Sequence, residues 1–578
     1  MAFSFSRFRR KLDAALSSAV RARCLSLSAR PSLPEEPAPD TRFLRHSSPD
    51  ASPVLDHSSF LRFPQVRLTT LPSGIRVVTQ SAPTSASHTA SVGVWIDAGS
   101  RFEAPGTNGT AHFLEHMIFK GTRCRTARSL EEEIENMGAR LNAYTSREQT
   151  TFFADVQSKD VAVAVDVLAD ILQNSKFPDH AIKRERGVIL REMEEVQGQV
   201  EEVIFDHLHS AAFHGHPLGD TILGPEENIR GISRVDLQHY ISTHYTGHRM
   251  VVSAAGAVKH DEIVNMVERL FTNFSTDPTT ADQLVNANPA IFTGSEVRVQ
   301  DEGMPLAHFA IAFKGSSWTD PNSIPLMVIQ SLLGSWNKSI GVGNCSGSQL
   351  ARRVATDDLA ENIMAFNTNY RDIGLFGVYS IASPNCLREL SRVLMDEIKR
   401  LAYQVSEAEV VRARNQLKSA LLLHIDGSTA VSENNGRQML TYGRVLPFVE
   451  LFARIDAVDA AAIMETARNF IINKEIALGA TGPIQELPEH RRNSTSIIPH
   501  SNWFLISLMK RRMVLLNLKN LYMLLVSSIH VLPLRKKSNL HSDYMIVNKL
   551  GLLNEANGCC NFKGVRQRYS QMISSKPY

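Results

Sequence analysis

Residues 110–122, TAHFLEHMIFKGT, place two histidines four positions apart, with a glutamate directly before the second. If this segment is helical, His112, Glu115 and His116 lie on one face within a single turn. Imidazole nitrogens bind Zn2+, and a catalytic zinc site leaves one position for a water molecule whose pKa the metal lowers. The segment therefore predicts that the two histidines bind a metal and that Glu115 takes a proton from the water.

The order His-x-x-Glu-His is also that of the inverted zincin motif. A solvated helix face is the alternative, because three fixed residues in a five-residue frame recur by chance. The neighbours Phe113, Leu114 and Met117 make this helix mostly apolar, and burying three polar groups in it would be costly without partners. A bound ion would supply the partner, so we expect one Zn2+ per chain.

A third protein ligand is expected from the segment 179–196, which has the pattern of a charged helix. The candidates are Glu185, Glu192, Glu194 and Glu195. Spacing alone does not choose among them. Glu185 and Glu192 are seven residues apart and share one face, so one can bind the metal while the other supports it. Glu194 and Glu195 are expected to be solvated.

The two ends of the chain differ in composition from its centre. The first thirty residues are rich in Arg and Ser, and their only acid is Asp13. Such an amphipathic start is typical of a mitochondrial transit peptide, and we interpret 1–64 as transit peptide and linker, with a disordered basic arm as the alternative. Residues 491–578 form an atypical extension. The apolar stretch 513–534 is interrupted by polar residues, which favours an amphipathic or disordered segment over a membrane span.

Net charge and cysteine spacing narrow the classes of partner and of metal site that we expect. The formal charge of +3 is the small difference between 62 basic and 59 acidic residues, so it gives no reason to expect nucleic acid as a partner. The cysteines form no Cys-x-x-Cys pair, which argues against a cysteine-bound zinc. His207, His209, His214 and His216 lack helical ligand spacing, and we interpret them as structural or surface residues.

The central part of the chain repeats its order of predicted elements after about 220 residues, which indicates an internal duplication. Strands at 90–96 and 151–156 correspond to strands at 307–313 and 374–381. Helices at 161–174 and 179–196 correspond to helices at 387–401 and 407–423. The predicted fold is α+β, with two homologous lobes at 65–285 and 290–490, each a largely antiparallel sheet covered by helices.

Four segments resemble the pitrilysin family of zinc metallopeptidases, in particular members that process mitochondrial presequences. They are the motif at 110–122, VWIDAGSR at 94–101, LNAYTSRE at 141–148 and ERGVILRE at 185–192. The resemblance covers about 66–488. It implies that Glu192 is the third zinc ligand and that Glu185 is an additional active-site glutamate.

The resemblance also implies a set of substrate-binding residues. Asn142, Ala143 and Tyr144 would form an edge strand that pairs with an extended substrate; the residues alone indicate an ordinary strand end. Glu202 and Asp206, at i and i+4, would bind an arginine near the scissile bond, although such a pair is usually a solvated face. Phe119 would contact the hydrophobic residue after that bond, with a place in the core as the alternative.

These observations predict a zinc endopeptidase that removes targeting presequences from proteins imported into mitochondria. By resemblance it acts with a homologous α subunit, in the matrix or on the matrix side of the inner membrane. The second lobe should be silent, because its region corresponding to the motif, 333–339, contains no His or Glu. The rival hypothesis is a structural core subunit of respiratory complex III, in addition to or instead of peptidase activity. The third hypothesis is a general peptide-degrading enzyme of the same family.

Overall fold

The computed structural model describes residues 64–82, 88–341 and 346–489. The strands are β1 (Val66–Thr70), β2 (Arg76–Ser81), β3 (Thr89–Ile96), β4 (Arg140–Thr145), β5 (Thr150–Gln157), β6 (Met250–Gly256), β7 (Glu296–Gln300), β8 (Ala307–Gly315), β9 (Ser335–Asn337), β10 (Asn362–Asn369), β11 (Gly374–Ala382) and β12 (Ile476–Gly482). The helices of the first lobe are α1 (Thr110–Met117), α2 (Ala127–Met137), α3 (Val161–Asn174), α4 (Asp179–Gln197), α5 (Val200–Ala212), α6 (Glu226–Gly231), α7 (Arg234–His244), α8 (His260–Leu270) and α9 (Ala281–Ala287). Those of the second lobe are α10 (Ser323–Leu333), α11 (Gln349–Thr356), α12 (Leu387–Arg400), α13 (Glu407–His424), α14 (Ser428–Tyr442), α15 (Phe448–Asp456) and α16 (Ala460–Phe470).

The first sheet has the strand order β1-β2-β6-β3-β5-β4, and only its β2–β6 pair is parallel. Every residue of β3 after Thr89 is buried, because helices cover both faces of the sheet. On one face Val92 and Val94 pack into the main core with α3. On the other face Trp95 packs against α14. The edge strand β4 places residues 142–144 at one side of the sheet.

The second sheet has the order β7-β12-β8-β11-β10-β9, and only β7–β12 is parallel. The run β12-β8-β11-β10 follows the same spatial order as β6-β3-β5-β4 in the first sheet. Each sheet is therefore largely antiparallel, and the predicted α+β fold with two lobes is confirmed. The helices and strands predicted from periodicity end within two residues of the positions found in the structure.

The two lobes exchange one helix each. Helix α5 follows the charged helix of the first lobe but packs on β8 and β12 of the second sheet, through Ile204 and Leu208. Helix α14 belongs to the second lobe but packs on β3 and β6 of the first sheet, through Met439 and Leu440. A Cβ at Gly436 of α14 would overlap the indole ring of Trp95, so this contact requires glycine. The hydrophobic cores therefore cross the boundary predicted from the sequence.

One predicted correspondence differs from the structure, and three predicted segments lie outside the described residues. By element order, the counterpart of the motif helix is α10 at Ser323–Leu333, so the predicted region 333–339 instead covers the end of α10 and strand β9. Helix α10, SIPLMVIQSLL, also contains no His or Glu. The transit peptide, the extension at 491–578 and the stretch 513–534 lie outside the described residues. Within the described ranges, no helix combines the length and hydropathy needed to cross a membrane.

Candidate metal centre

Helix α1 carries the motif and begins immediately after Gly109, whose φ is 101°. This left-handed conformation suits glycine, and a Cβ at Gly109 would also collide with the carbonyl oxygen of Leu223. The apolar residues Phe113, Leu114 and Met117 bury α1 in the core of the first lobe. The face with His112, Glu115 and His116 is left for the neighbouring helix α4, which packs on α1.

Helix α4 brings Glu192 against both histidines. Its Oε2 atom lies 3.7 Å from Nε2 of His112 and 3.1 Å from Nε2 of His116. One ligand atom from each of the three side chains lies within 4.8 Å of the others. This is the only such group of three or more His, Cys, Asp or Glu side chains in the described ranges. Glu194 and Glu195 are exposed, as expected.

The donor set fits zinc in both chemistry and spacing. Two imidazoles and one carboxylate are the protein ligands of a common class of catalytic zinc site. Ligand bonds of about 2.1 Å in tetrahedral geometry put neighbouring donor atoms about 3.4 Å apart, and the two measured separations lie on either side of that value. A fourth position would remain for water.

His116 is supported from behind by Glu185. The Glu185 carboxylate lies 3.6 Å from Nδ1 of His116 and 3.0 Å from Nζ of Lys120. Burial would lower the pKa of His116, but Glu185 and Glu192 outweigh it and raise this pKa to about 9. Burial likewise opposes ionisation of Glu185, but His116 and Lys120 lower its pKa to about 2. A carboxylate behind a ligating imidazole fixes the ring and increases its basicity.

His112 has different surroundings. It is buried, and burial together with the nearby His116 lowers its pKa to about 4. Its Nδ1 atom has no hydrogen-bond partner among the described residues. His112 is therefore neutral, the form that binds zinc, whereas His116 would release one proton when zinc binds. Among the described residues, no carboxylate holds the His112 ring from behind.

Glu115 lies on the same face but is not part of the donor group. It is half-buried, and burial raises its pKa, opposed by the neighbouring Thr145 at the end of β4. A raised pKa makes a carboxylate a better proton acceptor near neutral pH. The position of Glu115 between the histidines and the edge strand suits a general base.

The predicted substrate-binding residues fall into three places. Asn142, Ala143 and Tyr144 lie on β4, which pairs with β5 on one side and has no strand partner on the other among the described residues. Phe119 is half-buried against the first core, with its ring edge-to-face to Phe152 at 6.3 Å. This contact favours a place in the core for Phe119. The part of its side chain that is not buried stays accessible to a substrate.

The two acidic residues on α5, Glu202 and Asp206, differ in their surroundings. Asp206 accepts a hydrogen bond from Nη2 of the buried Arg147 at 2.7 Å, so this carboxylate already has an arginine partner. Glu202 is exposed. Partial burial of its carboxyl group and the nearby negative charges of Asp206, Glu201 and Glu192 raise its pKa. Of the two acids, Glu202 is the one available to an arginine from outside.

Sequence reasoning did not find three residues that support the site from its surroundings: Lys120 beside Glu185, Arg147 beside Asp206, and Glu103, which accepts from backbone N–H groups at the start of α1. Lys120 lies four residues after His116, a helical spacing that could have indicated it. Arg147 and Glu103 reach the site through turns, and their contacts leave no periodic signal. In the histidine cluster, His209 is buried between Phe205 O and the Tyr370 hydroxyl at 2.6 and 2.7 Å, which agrees with a structural role.

Two family descriptions match this chain. Residues 76–226 match "Insulinase (Peptidase family M16)", and residues 231–417 match "Peptidase M16 inactive domain". The chain belongs to peptidase family M16. The predicted resemblance to metallopeptidases of the pitrilysin family is thus confirmed, and membership makes the chain a metallopeptidase by family. The inactive-domain match covers most of the second lobe, which lacks the motif.

Curated M16 relatives are similar over most of the chain. A probable mitochondrial-processing peptidase subunit beta of Arabidopsis thaliana is 60% identical over 455 residues, 78% of this chain and 85% of that protein. The human mitochondrial-processing peptidase subunit beta is 49% identical over 432 residues, 75% of this chain and 87% of that protein. A chain of complex III2 from Candida albicans has the same fold, with a TM-score of 0.65 and 25% identity, over 74% of this chain and 99% of that chain.

Proposed function

We propose that this protein is a mitochondrial zinc endopeptidase subunit that cleaves targeting presequences from imported precursor proteins. The observation that carries the proposal is the convergence of His112, His116 and Glu192 within 4.8 Å beside Glu115. The names of the curated relatives, mitochondrial-processing peptidase subunit beta, support a processing peptidase of mitochondria. The matrix, or the matrix side of the inner membrane, is the compartment we assign within the organelle.

The proposed chemistry assigns one role to each group. Zn2+ bound by His112, His116 and Glu192 would polarise the scissile carbonyl and lower the pKa of a water molecule. Glu115 accepts the proton of this water and passes it to the leaving amine, for which a carboxylate with a raised pKa is suited. Glu185 keeps the His116 ring oriented and Lys120 keeps Glu185 ionised.

Substrate binding is assigned to the edge strand and to α5. An extended presequence would add a strand to β4 at Asn142, Ala143 and Tyr144, with main-chain hydrogen bonds providing affinity. Glu202 would bind an arginine near the scissile bond, and Asp206 would shape this position while paired with Arg147. Phe119 would contribute an apolar surface. A homologous α subunit is the proposed partner, as the word "subunit" in the relatives' names supports.

A second candidate function is a core subunit of respiratory complex III. The observation that favours it is the match of 74% of this chain to a chain of that complex at a TM-score of 0.65. The complete donor set argues against a purely structural role, since a scaffold has no need of three converging ligands. Both roles are compatible in one protein.

The deciding experiment uses the full chain co-expressed with its α partner, beside the Glu115→Gln variant. The wild type should contain about one zinc per active subunit and cleave a presequence peptide, while the variant should retain zinc and lose cleavage. A folded wild-type complex that neither binds zinc nor cleaves would rule out the peptidase. Co-purification of cytochromes from mitochondria would establish the second role.

A further inference from the structure

A loop from Glu103 to Gly109 runs beneath the start of helix α1. The carboxylate of Glu103 is buried there and accepts three hydrogen bonds. The donors are the backbone N–H of Gly109 at 2.8 Å, the backbone N–H of Ala111 at 2.6 Å and the side-chain amide of Asn108 at 2.8 Å. The Glu103 carboxylate thus accepts from the residues on either side of Thr110, the first residue of α1.

The start of α1 needs such an acceptor. The first N–H groups of a helix have no partner within the helix, and a Ser, Thr, Asp or Asn at the N-cap usually accepts from them. The N-cap of α1 is Gly109, which has no side chain and no side-chain cap. Glu103 replaces this cap from six residues upstream, because its carboxyl oxygens accept from the backbone N–H groups at the start of α1.

The loop is anchored on its other side as well. The Asn108 side chain also donates to Thr221 O at 3.3 Å, and the side chain of Asn228 donates to Asn108 O at 3.2 Å. The close approach of Gly109 to Leu223 holds the helix start against the same segment. Glu103 is therefore attached to a fixed loop, and its three hydrogen bonds hold the first turn of α1 to that loop.

His112 lies in this first turn, directly after Ala111. His116, one turn later, has Glu185 behind its ring, whereas Nδ1 of His112 has no hydrogen-bond partner among the described residues. The placement of Nε2 of His112 relative to Glu192 therefore depends on where the first turn of the helix lies. Among the described residues, Glu103 is the one charged side chain that hydrogen-bonds to the backbone of that turn.

We propose that Glu103 is a positioning residue of the metal centre, which sets the His112 ligand by capping α1 in place of an N-cap side chain. The proposal rests on the proposed function, because it requires that His112 binds the metal. Glu103 does not contact the metal ligands, so its effect is transmitted through the backbone of Ala111. It gives His112 the support that Glu185 gives His116.

The test compares metal binding by Glu103→Gln and by a matched control, Glu397→Gln, in the complex with the co-expressed partner. Glu397 is also buried, but it accepts from Arg353 and Arg400 in the second lobe. Zinc affinity is measured by competition with a chelator, and the geometry of the site by the visible spectrum of the Co2+-substituted protein. E103Q should lower zinc affinity about tenfold, as loss of supporting contacts at metal sites does, and should change the Co2+ spectrum. E397Q should do neither.

Equal zinc affinity and identical Co2+ spectra for E103Q and wild type would overturn the proposal, even if E103Q melts at a lower temperature. If E103Q does not fold, Glu103→Asp keeps the carboxylate but shortens the side chain by one methylene, so that it no longer reaches the N–H groups of Gly109 and Ala111 together. A loss of zinc affinity in E103D then supports the proposal, and unchanged affinity overturns it. A wild-type complex that binds no zinc would contradict the proposed function itself, which separates the two failures.

Discussion

Arg371 of the second lobe donates from Nη2 to both carboxylate oxygens of Asp97 in the first lobe, each at 2.5 Å. The two side chains are only 13% and 8% exposed. The neighbouring Asp372 accepts two hydrogen bonds of 2.7 Å, one from Nη1 and one from Nη2 of Arg101 in the first lobe. The turn between β10 and β11 thus inserts two opposite charges into the catalytic lobe.

Removing one member of the Arg371–Asp97 pair should destabilise the protein strongly. Arg371→Met leaves the buried carboxylate of Asp97 without its main partner, and such losses cost about 3–5 kcal/mol. Urea denaturation followed by circular dichroism measures the effect. The exposed pair Arg67–Asp261 provides the control, because Arg67→Met should cost less than about 1 kcal/mol. Similar losses for both variants would contradict the role of the turn.

Substitutions of the glutamates of α4 should differ in their effect on zinc affinity. Glu192→Gln removes a proposed ligand and should lower zinc affinity by more than about 100-fold, whereas Glu185→Gln removes the support of His116 and should lower it about 10–100-fold. Glu194→Gln is the control on the same helix, since Glu194 is exposed and should leave affinity unchanged. Zinc is measured by chelator competition on the purified complexes. A loss in E194Q as large as in E192Q would reject this assignment.

The two acids of α5 should respond differently to neutralisation. Glu202→Gln should raise KM for a presequence peptide with arginine near the scissile bond and leave thermal stability unchanged, because Glu202 is exposed. Asp206→Asn, in contrast, should lower the free energy of unfolding by about 1–3 kcal/mol, because it weakens the charge-assisted hydrogen bond of the buried Arg147. A peptide with that arginine replaced by glutamine is the matched substrate. If E202Q raises KM equally for both peptides, Glu202 does not bind the arginine.

Stability should depend on pH through Glu103. Burial raises the pKa of this carboxyl from 4.5 to about 7, against the opposing effect of its three hydrogen bonds. Because the folded state then binds the proton more tightly than the unfolded state, the stabilisation is complete below pH 4.5 and is lost as pH rises to 7. Glu103→Gln cannot titrate, so its urea midpoint should fall less over this range, by an amount equivalent to about 3 kcal/mol. Parallel pH curves for wild type and variant would exclude this linkage.

The sequence predicted the motif helix, the duplicated elements and the two sheets because each leaves a periodic pattern. The bounds of α3 are those predicted from the apolar spacing of residues 161–174. Periodicity did not predict the exchange of α5 and α14, since an amphipathic helix shows which of its faces is apolar but not which sheet will cover it. The cap by Glu103 and the pairing of Arg147 with Asp206 depend on the course of turns, and such contacts leave no spacing in the sequence.

The exchanged helix α14 imposes an order on biosynthesis. The last strand of the first sheet ends at Gly256, but the helix that covers Trp95, Val78 and Val251 begins only at Ser428. Import led by an N-terminal transit peptide would deliver the first sheet before α14. Until α14 arrives, the chain presents an uncovered apolar sheet face, so we expect it to require a chaperone until the second half of the chain has entered the same compartment.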